Sequence, residues 1–236
     1  MNMSPEFIML GALWYLVFLF STTLHEAAHA WAAQRGGDFT ATYSGQVTLD
    51  PRPHIQREPF GMVVFPLITY FMSGWMMGWA SAPYDPYWAA RYPRRAALMS
   101  LAGPASNLLM VVLCGVLVRV GIAAGFFVPP DYISFTQVVA APGGGLMGTV
   151  ATLLSIAFML NLLLGVFNLL PIPPLDGSSV ITLLMSERTA NRWMDAIRNP
   201  GFTIIGMLVA WKIFGPIFRP FKALALALLY PELSYG

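Results

Sequence analysis

Long stretches without a charged residue alternate with short polar connections along this chain. Phe7–Leu24, Pro59–Tyr84, Ala96–Val118 and Tyr132–Leu175 contain no Asp, Glu, Lys or Arg, and shorter charge-free runs follow at Asn199–Trp211 and Ala223–Pro231. About 20 apolar residues cross a bilayer as a helix, so each long run predicts a membrane helix. Tyr132–Leu175 contains Pro142-Gly143-Gly144-Gly145, which interrupts any helix, so its helix is predicted over Leu146–Leu170. The C-terminal pair is broken by Pro216 and Pro220 and reads as two short spans or one bent hairpin. Thr40–Leu49, with Thr, Tyr and Val around Gly45, predicts a short strand or hairpin, against the plainer reading of a surface loop. The pattern thus predicts an all-α polytopic membrane protein. It has about five to six transmembrane or re-entrant helices and a small membrane-associated β element. No linker or repeat divides it, so residues 1–236 are expected to form a single integral-membrane domain.

Composition narrows the class. The chain has 236 residues, of which 57% are hydrophobic and 10% charged, with a mean hydropathy of +0.64. Soluble domains carry about 25% charged residues, so a membrane is the expected solvent. A net charge of +2, dispersed along the chain, gives no footprint for nucleic acid. One cysteine, Cys114, excludes an internal disulfide framework and reads as a packing residue. The first apolar run lacks a basic leader and continues directly into polar residues, so it is expected to be retained.

Those polar residues are His25-Glu26-Ala27-Ala28-His29. On a helix, positions i and i+4 lie about 40° apart in projection and about 6 Å apart along the axis, so His25 and His29 can grip one metal ion. Glu26 is rotated by about 100° and can reach a water on that ion rather than the ion itself. Ionisable groups cost about 2.5–3.5 kcal/mol each in a bilayer by insertion scales, so their clustering points to function.

Catalytic zinc normally has three protein ligands plus water, and two histidines with a carboxylate are an established set. Asp176, within Asn168-Leu169-Leu170-Pro171-Ile172-Pro173-Pro174-Leu175-Asp176-Gly177, is the candidate third ligand. The prolines prevent regular helix, and irregular backbone at membrane depth is tolerated where protein buries it or a polar cavity adjoins it. The competing reading ends a helix at the interface and uses Asp176 to cap the next one.

Together the histidine motif, Gly103-Pro104-Ala105-Ser106-Asn107 and the Asn168…Pro171…Asp176-Gly177 element resemble the site-2 protease family of intramembrane zinc metalloproteases. The resemblance covers about Phe7 to Ser186, the expected catalytic core, with accessory C-terminal helices at about 201–230. It implies one Zn2+ held by His25, His29 and Asp176, Glu26 as catalytic acid/base, and Asn168 beside the substrate as an oxyanion donor. It also implies transmembrane proteins as substrates, cleaved within or next to their spans. Many members carry PDZ or CBS domains; this chain has room for neither and resembles the compact bacterial type. Asn107 reads as scaffold before chemistry, since an intramembrane Asn often bonds a neighbouring backbone.

Topology constrains the site. If Pro59–Tyr84 is re-entrant, Arg35, Arg52, Arg57, Arg91, Arg94, Arg95, Arg188, Arg192 and Arg198 share one face and Arg119 stands alone on the other. That bias predicts a multi-pass protein of the cell (plasma or inner) membrane with the active site toward the cytoplasm. Arg94 and Arg95 then meet lipid headgroups, Trp75, Trp79 and Trp88 anchor at the interface, and His54 is an ordinary solvated loop residue. Two other function classes compete: a membrane metal transporter or sensor, and a scaffold that binds membrane proteins without cutting them. Transport requires polar groups along a path across the bilayer, and no further His, Asp or Glu lies within the predicted spans. A non-catalytic scaffold is expected to have lost the glutamate or a ligand, and all are present.

Overall fold

The computed structural model describes residues 4–233 and 235. Four of its helices are long and apolar enough to cross a membrane: α1 (Pro5–Gly36), α6 (Pro93–Ala123), α7 (Gly145–Asn168) and α10 (Pro200–Leu229). Between them lie short helices α2 (Thr40–Tyr43), α3 (Pro51–Arg57), α4 (Phe65–Ser73), α5 (Pro86–Arg91), α8 (Gly177–Val180) and α9 (Glu187–Ile197). A π-helical turn at Phe60–Val64 leads into α4, and a 3₁₀ turn at Ile181–Leu184 follows α8.

Helices α1, α6 and α7 pack on one another and form the centre of the molecule. Trp14, Val17 and Phe18 of α1 meet Ile156 and Leu160 of α7 on one side. Cys114 and Val118 of α6 meet Phe158, Met159 and Leu162 of α7 on another. Because these helices are apolar all round, what distinguishes their inner faces is the small and polar residues placed there, including Ser21, Asn107 and Asn161, each fully buried.

Among the described residues there are four membrane-length helices and the shorter apolar helix Phe60–Ser73, so the expected five to six transmembrane or re-entrant helices are not all found, for two reasons. Pro59–Tyr84 does not run as one helix. Its helical part, Phe60–Ser73, ends at Gly74, and the chain then returns extended beside it, with the Trp79 amide donating to the Gly61 carbonyl at 3.2 Å. The C-terminal segment is a single helix with Pro216 and Pro220 inside it. Each proline removes one bond, to the carbonyl four residues earlier. Spaced by four and both exposed, they concentrate the loss on one outer face while the other bonds of the helix persist.

No strand forms at Thr40–Leu49. Asp38 accepts from the Thr40 amide at 2.9 Å and from its hydroxyl at 2.6 Å, which nucleates α2, and Ser44 donates back to the Thr40 carbonyl at 2.9 Å. Such local side-chain bonds override the β preference of the segment. Among the described residues β pairing is confined to isolated bridges, Val128 with Ala140 and Ser134 with Gln137. The helix predicted over Leu146–Leu170 is observed as α7 to within two residues at either end.

Three surface assignments also change. Trp88 is buried and donates to the Gly36 carbonyl at 3.0 Å, beside Arg95, which donates to the same oxygen at 3.0 Å, so both cap α1. His54 is fully buried on α3, its Nε2 donating to the Thr48 carbonyl at 3.1 Å. Arg119 is not alone at its end of the molecule: it donates to the Leu229 carbonyl at the end of α10, and Arg219 and Lys222 lie on that same half of α10.

Candidate metal centre

His25 and His29 occupy successive turns of one face of α1, and α6 crosses that face antiparallel. Met99, Gly103 and Asn107 recur every four residues on α6 and form a stripe against the imidazoles. The His29 Nδ1 lies 2.7 Å from the Met99 carbonyl, and the His25 Nδ1 lies 2.6 Å from Asn107 Oδ1. Both acceptors require the proton on Nδ1, which leaves Nε2 of each ring as the atom available to a metal. Gly103 sits between them. A Cβ there would overlap the His29 ring and lie 2.6 Å from His25 Nε2.

Asn107 is in turn held by a buried amide network. Its Nδ2 donates to Asn161 Oδ1 at 2.8 Å and to the Ser21 carbonyl at 3.4 Å. Asn161 donates to Ser21 Oγ at 2.9 Å and to the Ala157 carbonyl at 2.8 Å. Three helices are thereby tied together behind His25. A satisfied network of this kind rigidifies, and losing one partner leaves costly orphans.

Asp176 arrives from the proline-rich loop after α7. It precedes α8 but makes no side-chain capping bond. Instead its Oδ2 lies 3.1 Å from His25 Nε2 and 3.3 Å from His29 Nε2, while the two Nε2 atoms are 3.0 Å apart.

This donor set fits zinc. Tetrahedral zinc with bonds of about 2.0–2.1 Å sets its ligand atoms about 3.3 Å apart, close to the observed triangle. Two imidazole lone pairs and a carboxylate oxygen pointed at one centre repel unless a cation lies between them. The triangle opens on a cavity of about 310 Å³, which Glu26, Ser100, Asn168 and Met194 also line, along with the extended Ala80–Tyr84 segment. Asn168 is therefore in the cavity wall, with its Nδ2 donating back to the Leu164 carbonyl at 3.1 Å.

The structure brings the three candidate ligands His25, His29 and Asp176 together and lines the adjoining cavity with Glu26 and Asn168. Asn107 is scaffold, as expected, and also holds His25; Met99, Ser21 and Asn161 join it without having been singled out in the sequence. The four-residue recurrence of Met99, Gly103 and Asn107, and a lone amide at Asn161 in an otherwise apolar run, were the available signals.

Two histidines and a carboxylate converging beside a glutamate, set among membrane-length helices, make the donor set that a membrane metallohydrolase requires. The family profile described as Peptidase family M50 matches residues 13–211, and the chain belongs to that family. It is 32% identical over 229 residues to "Putative zinc metalloprotease YwhC" of Bacillus subtilis, across 87% of this chain and 93% of that protein. It is 28% identical over 205 residues to "Putative zinc metalloprotease Rip2" of Mycolicibacterium smegmatis, across 86% of this chain and 67% of that one. The Rip2 protein of Mycobacterium tuberculosis is 31% identical over 178 residues, across 74% and 56% respectively. No solved structure matches the chain.

Proposed function

We propose that this chain is a zinc-dependent intramembrane endopeptidase in which His25, His29 and Asp176 hold the metal and Glu26 is the acid/base. The observation that carries this reading is the convergence of Nε2, Nε2 and Oδ2 within 3.0–3.3 Å of one another beside Glu26's cavity. Zinc held by these three side chains would supply Lewis acidity, easing ionisation of a water near pH 7 and polarising the scissile carbonyl. The remaining work belongs to the chain. Glu26 accepts the proton as water attacks and delivers it to the departing amine nitrogen. Asn168, rotated off the Leu164 carbonyl, donates its amide N–H to the developing oxyanion. The Asn107 and Met99 acceptors keep both rings in one tautomer throughout.

The substrate is a transmembrane protein whose helix unwinds locally, since intact helix hides its peptide bonds in its own hydrogen-bond ladder. The chain acts as one domain, with Pro59–Tyr84 entering the bilayer and leaving on the same side. Arg35 at the end of α1, Arg52 and Arg57 of α3, Arg91 of α5, Arg94 and Arg95 at the start of α6, and Arg188, Arg192 and Arg198 in and after α9 support a metal centre facing the cytoplasmic side of the cell membrane.

The test is cleavage of single-span membrane proteins by co-expressed wild type and Glu26→Gln. Glu26→Gln is expected to lower turnover by at least about 100-fold while zinc content stays at one ion per chain. Equal cleavage by both proteins removes Glu26 from this role. Cleavage that survives a zinc chelator removes the metal.

A further inference from the structure

Asp176 is held differently from the histidines. Among the described residues, its carboxylate has no hydrogen-bond partner besides the two imidazoles. Its position therefore comes from the backbone of the loop. That loop has little slack: Pro171, Pro173 and Pro174 limit rotation, and the Ile172 and Leu175 amides donate to the Leu170 and Ile172 carbonyls at 2.8 and 2.9 Å.

Two glycines clamp the loop on either side of Asp176. Gly177 lies against the end of α7, where an added Cβ would overlap the Leu169 and Leu170 carbonyl oxygens. Gly206, on the first third of α10, lies against the Pro173 carbonyl, and a Cβ there would overlap that oxygen and sit 3.0 Å from its carbon and 3.2 Å from Ile172 Cγ2. One turn on, fully buried Ala210 packs on Leu170 and Leu175. The outward side of α10 touches little; Leu208 is 69% exposed. The family match, which stops at residue 211, includes this contact.

We infer that Gly206 is a positioning residue for Asp176: the close approach of α10 to Pro173 sets where the third ligand stands. The inference rests on Asp176 being a zinc ligand. Relieving a Cβ overlap at Gly206 requires the helix or the loop to move by about an ångström or more. Metal–ligand distances tolerate only about 0.2 Å, so the carboxylate leaves the triangle. The helix assigned as accessory in the sequence reading is then part of the metal centre.

The experiment uses the full chain in lipid nanodiscs, with Co2+ as a spectroscopic probe and Zn2+ in competition. Gly206→Ala is expected to weaken Co2+ and Zn2+ affinity by about 10- to 100-fold and to shift the Co2+ absorption toward that of Asp176→Asn. Leu208→Ala, on the opposite side of α10, is expected to match wild type in both readouts. A contact that only supports folding would lower thermal stability and leave the Co2+ spectrum unchanged. Wild-type affinity and spectrum in Gly206→Ala, with both altered in Asp176→Asn, overturns the inference and leaves the metal site standing. Wild-type binding by Asp176→Asn overturns both. Should Gly206→Ala fail to fold, Ala210→Val carries the test, since its added methyls press on Leu170 and Leu175. It too must weaken the metal, and wild-type affinity there overturns the inference.

Discussion

The two arms of the candidate metal triangle are built on different principles. The histidine arm lies on α1, and each ring is fixed by a short bond to α6, one of them backed by a network that reaches α7. His25 and His29 are 7% exposed. The acid arm is a short irregular loop with no capping bond, its Asp176 side chain 22% exposed, located by close backbone packing rather than by side-chain bonds. Directional bonds fix ring orientation, which a metal ligand's lone pair requires. Steric contact suffices for a carboxylate, which offers several lone-pair directions. The histidine arm is thus fixed by bonds to its side chains, and the acid arm by the packing of its backbone.

The largest effect should come from closing the space between the rings. Gly103→Ala places a methyl against both imidazoles, so zinc affinity is expected to fall by at least about 100-fold, read by metal titration of purified protein. Retained zinc would mean that α1 and α6 separate easily, and the fixing of the histidine arm would lose its basis.

Asn107→Ala sharpens the comparison at an intermediate level. It releases the His25 ring and orphans Asn161 Oδ1, with an expected loss of about 10- to 100-fold in zinc affinity and about 1–3 kcal/mol in stability. Chelator competition and thermal unfolding measure the two effects separately. A stability loss with unchanged zinc affinity would return Asn107 to a purely scaffolding role.

The smallest effect belongs to the end of α1. Trp88→Phe keeps the packing on Ala33 and Met99 but loses the bond to the Gly36 carbonyl, which Arg95 still reaches. Unfolding is expected to shift by about 0.5–1.5 kcal/mol, with zinc affinity and cleavage as in wild type. A change in zinc affinity would show that the rings respond to the helix end as well as to α6.

Much of the candidate metal site was legible because its signals are local. The i, i+4 spacing of His25 and His29 has one geometric meaning on a helix, and a proline-rich break before Asp176 within an apolar chain is equally pointed. The errors arose where several local tendencies competed. Thr40–Leu49 had strand composition, but Asp38 and Ser44 supplied hydrogen bonds that turned its start into helix. Pro216 and Pro220 promised a break, but with the lost bonds on one exposed face α10 continues through them. Trp88 and His54 read as surface residues because nothing in the chain marks which polar-segment side chains the fold will cover.

By itself the sequence determined that the protein lies in a membrane, that two imidazoles share one side of a helix, and that a carboxylate follows in irregular backbone. These depend on composition and on periods of a few residues. Only the tertiary structure decided that Asp176 meets the imidazoles, that Asn107, Asn161 and Met99 hold their orientation, and that α10 presses on the loop. Those outcomes depend on contacts between residues far apart in the chain, such as Gly206 with Pro173 and His25 with Asp176, whose geometry is set by how helices cross and by which positions lack a Cβ.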